Sequence, residues 1–165
     1  MQEQADGQVR MATHPPREIQ VGFYHLTRTS LEEALPALLE KTLESGERAI
    51  VRCRDAGQVT GLDDALWATR ADIWLPHGSR AMGQAARQPV WLTDCDECPN
   101  GAAFLFRING AWDGELNGFR RIFDLFDGRD EAVVQQARLR WKDMKQAGYG
   151  MAYWKQEARG WKRAG

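Results

Sequence analysis

Four residues near the C-terminus, Arg138, Trp141, Lys142 and Lys145, carry the most suggestive chemistry in the chain. At about 100° per residue, the three cations form one stripe of a helix. Trp141 falls on the border between that stripe and an apolar one made by Val133, Ala137, Met144 and Gly148. A ring flanked by cations can receive an apolar side chain while the cations take a carboxylate. The same pattern suits a core-edge tryptophan with a solvated basic face. A second group, Trp67 and then Trp74-Leu75-Pro76-His77, places two large rings beside a loop. That suits a patch for a partner, or rings folded back over a sheet edge.

The other chemistry-bearing residues form weaker patterns. Cys95-x-x-Cys98 is a lone pair, with Cys53 and His77 as the only distant candidates to complete a zinc site. Pro99-Asn100-Gly101 after it reads as a turn, so a reduced, acidic surface turn is expected rather than a redox pair at a helix start. His14, His25 and His77 fall in an extension, a strand and a loop, and no catalytic constellation assembles around them. Asp63 with Asp64, and Asp124 with Asp127, read as solvated edges. The segment after the first strand, Leu26-Thr27-Arg28-Thr29-Ser30, has no glycine to bring backbone amides onto a phosphate. No catalytic residue, cofactor or metal is therefore expected. A nucleotide- or metal-dependent enzyme is the alternative reading.

The elements that would position these residues follow from periodicity and punctuation. Ile19 to Leu26 alternates as a strand. Thr29 and Ser30, each followed three residues later by a glutamate, cap a helix carrying Leu31, Leu35, Leu38, Leu39 and Leu43, which stops at Gly46. Pro36 inside it is a kink risk. Arg48 to Cys53 reads as a strand and Gly61 to Ala68 as a helix, the opening of a parallel α/β sheet. A loop runs from Pro76 to Gln88, and strands at Val90 to Thr93 and Ala103 to Ile108 flank an Asp94–Gly101 turn. Arg120 to Asp127 fits strand or helix equally. Glu131 to Ala147 is a helix closed by Gly148, and Gly150 to Glu157 is a last strand. Residues 1–18 read as a disordered extension, leaving 19–165 as one domain.

The totals narrow the function classes. A chain of 165 residues is the size of one ordinary domain. Its 22 basic and 23 acidic residues give a formal charge of −1, without the basic excess of a protein that grips DNA electrostatically. Any basic surface must be local, which suits an acidic peptide. No apolar run approaches the roughly 20 residues of a membrane span, and the N-terminal residues lack an apolar signal core, so a cytoplasmic location is expected. The odd count of 3 cysteines is consistent with reduced thiols.

Several runs, in order, resemble one family. They are Phe23-Tyr24-His25-Leu26, Leu66-Trp67, Trp74-Leu75-Pro76-His77-Gly78, Pro89-Val90-Trp91-Leu92-Thr93 and Pro99-Asn100-Gly101-Ala102. Phe126-Asp127-Gly128-Arg129-Asp130, Ala137-Arg138 through Arg140-Trp141-Lys142, Ala147-Gly148-Tyr149 and Tyr153-Trp154 complete the set. Together they look like the chi subunit of bacterial DNA polymerase III. The resemblance implies a Rossmann-like three-layer α/β sandwich with a mostly parallel sheet and no phosphate-binding loop. It implies a non-catalytic replication adaptor that contacts DNA indirectly. One face would hold the psi subunit of the clamp loader, or a repair helicase, through Trp67, Trp74, Leu75, Pro76 and His77. The other would take the acidic C-terminal tail of single-stranded-DNA-binding protein, which in the family ends in phenylalanine, through Arg138, Trp141, Lys142 and Lys145. Here a tryptophan stands where better-known members have a tyrosine.

Overall fold

The computed structural model describes residues 18–69, 72–111, 116 and 118–165. The expected N-terminal extension lies outside them, apart from Glu18. Strands β1 (Gln20–Leu26), β2 (Ala49–Arg52), β3 (His77–Ser79), β4 (Val90–Thr93), β5 (Phe104–Ile108), β6 (Arg121–Asp127), β7 (Gly150–Glu157) and β8 (Gly160–Arg163) join in one sheet. Its order is β3-β4-β2-β5-β6-β1-β7-β8. All neighbours are parallel except the β7–β8 hairpin.

Helices α1 (Leu31–Glu44) and α2 (Ala56–Trp67) cover one face and α3 (Glu131–Gln146) the other. The strands accordingly send alternate side chains to two cores. Tyr24 and Leu26 of β1 pack with the leucines of α1 and α2, while Val21 and Phe23 pack with Val133, Val134, Ala137 and Met144 of α3. Burial on both faces explains why β2 and β4 are covered along their whole length and why β6 is buried from Ile122 to Phe126. The Rossmann-like three-layer architecture expected from the sequence is present.

Local chemistry sets the helix starts. The Ser30 hydroxyl accepts from the Glu33 amide, and the Asp130 carboxylate from those of Ala132 and Val133. Pro36 lies buried within an uninterrupted α1; it removes only the amide that would have reached the exposed second residue of the helix. Helix α2 begins five residues before the expected Gly61, because Asp55 caps the Gln58 amide at 2.8 Å and Gln58 returns a bond from the Arg54 amide at 2.7 Å. That capping pair outweighs the helix penalty of Gly57 and Gly61. The expected Pro76–Gln88 loop contains β3, and Arg120 to Asp127 resolves as an interior strand. The chain also continues past the expected last strand into β8, turning at Gly160, whose φ is +100°.

Candidate peptide-binding cavity and partner face

Helix α3 leaves a gap between itself and the ends of β1 and β7. The result is a cavity of about 320 Å³. Its walls are Phe23, Phe126, Val134, Ala137 and the Trp141 ring, with Arg138, His25 and Tyr153 supplying polar groups. Trp141 is half-buried and meets Phe23 and Tyr153 edge-on, at centroid distances of 5.3 and 5.9 Å. His25 stacks on Phe126 at 4.9 Å and hydrogen-bonds the Tyr153 hydroxyl through Nδ1. Burial, reinforced by Lys155 and Arg138, lowers the His25 pKa from its ordinary range, and burial raises that of Tyr153. Arg138 is exposed on the cavity rim. Lys142 and Lys145 are also exposed but lie outside the lining, farther along the helix.

A buried charge cluster anchors α3 to the sheet beside its apolar stripe. Asp124 of β6, fully buried, accepts from Arg107 of β5 at 3.0 and 2.8 Å and from Arg140 of α3 at 3.0 and 2.8 Å. Pinning residue 140 inward turns residues 138 and 141 toward the end of the sheet. The expectation that Asp124 sits at a solvated edge is overturned. Two arginines, each more than a dozen residues distant in the chain, make its burial tolerable. Asp127 is half-buried and pairs with Arg129, whose hydrogen bond holds its carboxyl below the usual carboxylate range.

The second group of sequence candidates lies at the other end of the sheet. Trp67 and Trp74 are 59% and 83% exposed, and Met82 beside them is 51% exposed. They border a cavity of about 320 Å³ together with Leu66, Ile73, Pro76 and Gln88. Leu75 and His77 are buried beneath it. The His77 Nδ1 bonds the Leu75 carbonyl at 2.7 Å, its Nε2 lies 3.3 Å from Asp63, and its ring supports Trp67 at 4.4 Å. His77 therefore props the surface ring from below.

In the loop just before α1, near where a Rossmann sheet would offer amides to a phosphate, two backbone amides are bonded to a side chain of the same chain. The Gln156 side chain of β7 accepts from the Arg28 and Thr29 amides at 2.9 and 3.0 Å and donates to the Thr29 hydroxyl at 2.6 Å. The Thr27 hydroxyl donates to the Gln156 carbonyl at 3.1 Å. Burial raises the Cys98 pKa and pushes that of Cys53 up to about 12, which disfavours the thiolate at both. Among the described residues, no group of three His, Cys, Asp or Glu side chains could hold a metal ion. Nor is any helix among them long and apolar enough to cross a membrane.

The fold is a Rossmann-like α/β sandwich with a surface cavity toward each end of its sheet, and Gln156 ties the loop before α1 to β7. A family model described as "DNA polymerase III chi subunit, HolC" matches residues 19–152. The chain belongs to that family, and so to the accessory, non-catalytic part of a replicative polymerase. It is 27% identical to "DNA polymerase III subunit chi" of Escherichia coli (strain K12), over 81% of this chain and 97% of that one. The corresponding Haemophilus influenzae subunit is 25% identical over 79% of this chain and 92% of its own. A Rickettsia prowazekii protein named "Probable DNA polymerase III subunit chi" is 31% identical over 90 residues, 54% of each chain.

Proposed function

We propose that the chain couples the polymerase to coated single-stranded DNA by capturing the acidic C-terminal tail of single-stranded-DNA-binding protein beside Trp141. The observation that carries this reading is an apolar cavity with the Arg138 guanidinium on its rim. A terminal phenylalanine ring enters between Trp141, Phe23 and Phe126, and its free carboxylate meets Arg138. Lys142 and Lys145, exposed farther along α3, take the preceding aspartates. Each such exposed pair contributes about 0.2–1 kcal/mol and weakens with salt, so the enclosed ring dominates affinity. Micromolar binding, roughly −8 kcal/mol, suits a site of this size.

The Trp67/Trp74 face would hold the psi subunit, and through it the clamp loader, or alternatively a repair helicase. Two highly exposed indoles over a shallow cavity support a protein partner there. In this role the chain works in the cytoplasm and contributes binding rather than catalysis. The tail assignment is tested by titrating an acidic peptide ending in phenylalanine into the wild type and Arg138→Glu. The variant should bind at least tenfold more weakly with an unchanged melting temperature. Equal affinity would remove the site from this cavity.

A further inference from the structure

On the face of the sheet opposite the Trp141 cavity, four rings from four adjacent strands form a ladder. Phe106 and Phe123 lie 4.2 Å apart at 6°, Phe123 and Tyr24 5.5 Å apart at 28°, and Tyr24 and Trp154 6.2 Å apart at 14°. Gly22 makes this possible: a side chain there would start 2.8 Å from the Tyr24 ring, which leans across it. The ladder ends in a groove of about 510 Å³, walled by the half-buried rings of Trp154, Trp161 and Phe104. Three exposed cations line the same groove: Lys41 of α1, Arg121 of β6 and Arg159 of the β7–β8 turn. Arg121 lies over the Phe123 ring at 4.7 Å. Among the described residues, no carboxylate lines the groove.

We infer that this groove binds single-stranded nucleic acid directly. Trp154 closes the parallel stack and leaves its half-buried ring beside the groove, where a flat base can stack, while Trp161 meets Tyr24 edge-on and the three cations face the phosphates. The local surplus of positive charge exists although the whole chain is nearly neutral. This groove and the proposed tail cavity lie on opposite faces of the sheet, so the inference stands or falls independently of the tail reading.

The test is fluorescence anisotropy of a labelled 12-nucleotide oligothymidylate against the full chain at about 50 mM salt. Saturable binding is expected, with three phosphate contacts giving a salt slope of about −2 and a loss of roughly 20-fold between 50 and 200 mM. Arg121→Glu with Arg159→Glu should lose at least tenfold, while Arg138→Glu leaves binding unchanged. If Arg121→Glu impairs folding, Arg159→Glu alone, on a turn, still reads the site. Absence of saturable binding, or equal binding by the groove variants, overturns the inference. So does displacement by an acidic peptide as effective as unlabelled oligonucleotide, which would make the groove a peptide site.

Discussion

Asp124 does not line the candidate cavity but anchors, through Arg140, the helix that walls it. Replacing it with alanine leaves the Arg107 and Arg140 guanidinium groups, 3% and 13% exposed, without their shared anion. Breaking a buried charge cluster in this way costs about 3–5 kcal/mol, which for a chain of this size lowers the melting temperature by roughly 10 °C. A shift under about 2 °C on calorimetry would contradict the role assigned to it. His25 gives a pH signature. Burial holds its folded-state pKa below the ordinary 6.5, so the unfolded chain takes up the proton first. Its stability contribution is complete above pH 6.5 and is lost as pH falls through that value toward the folded-state pKa. Melting curves at descending pH should show this loss in the wild type and not in His25→Gln. The aromatic-plus-cation character of residues 138–145 was readable from helical spacing. The burial of Asp124 was not, because its partners lie on other elements and local sequence shows only a polar residue in an apolar strand.

Helix and strand ends position these side chains, and their bonds can be tested one at a time. Gln156 ties β7 to the start of α1 through the Arg28 and Thr29 amides. Gln156→Ala should cost about 0.5–1.5 kcal/mol in denaturant unfolding, the net worth of hydrogen bonds lost where water reaches the freed amides. No measurable change would mean those amides are satisfied without it. At the start of the α3 segment, a side chain on Gly128 would begin 2.3 Å from His25 Nε2 and 2.5 Å from the Leu26 carbonyl. Gly128→Ala should therefore displace the His25 ring, cost about 1–3 kcal/mol and weaken tail binding. Unchanged His25 chemical shifts on NMR would contradict that contact. The long elements were legible because α1 and α3 carry clean apolar stripes and caps. The start of α2 was hidden by two glycines, β3 by its length of three residues, and β8 by a polar sequence stabilised through pairing with β7.

Across the whole molecule, the proposed partner surfaces sit at separated places on one rigid sheet. Trp67 and Trp74 are exposed enough that alanine at both should change stability by no more than about 1 kcal/mol while removing whatever protein co-purifies through that face. Retention of the same partner by the double variant would move the interface elsewhere. The parallel sandwich was legible from the strand–helix alternation, whereas the burial of Leu75 and His77 under the tryptophans depended on how β3 joins the sheet edge. Sequence proximity grouped them with the surface rings. The most direct measurement is calorimetric titration with two versions of one acidic peptide ending in phenylalanine, the first a free acid and the second an amide. If Arg138 beside Trp141 receives a chain terminus, the free acid binds in the micromolar range and the amide at least tenfold more weakly; equal affinities would contradict the capture of a terminal carboxylate.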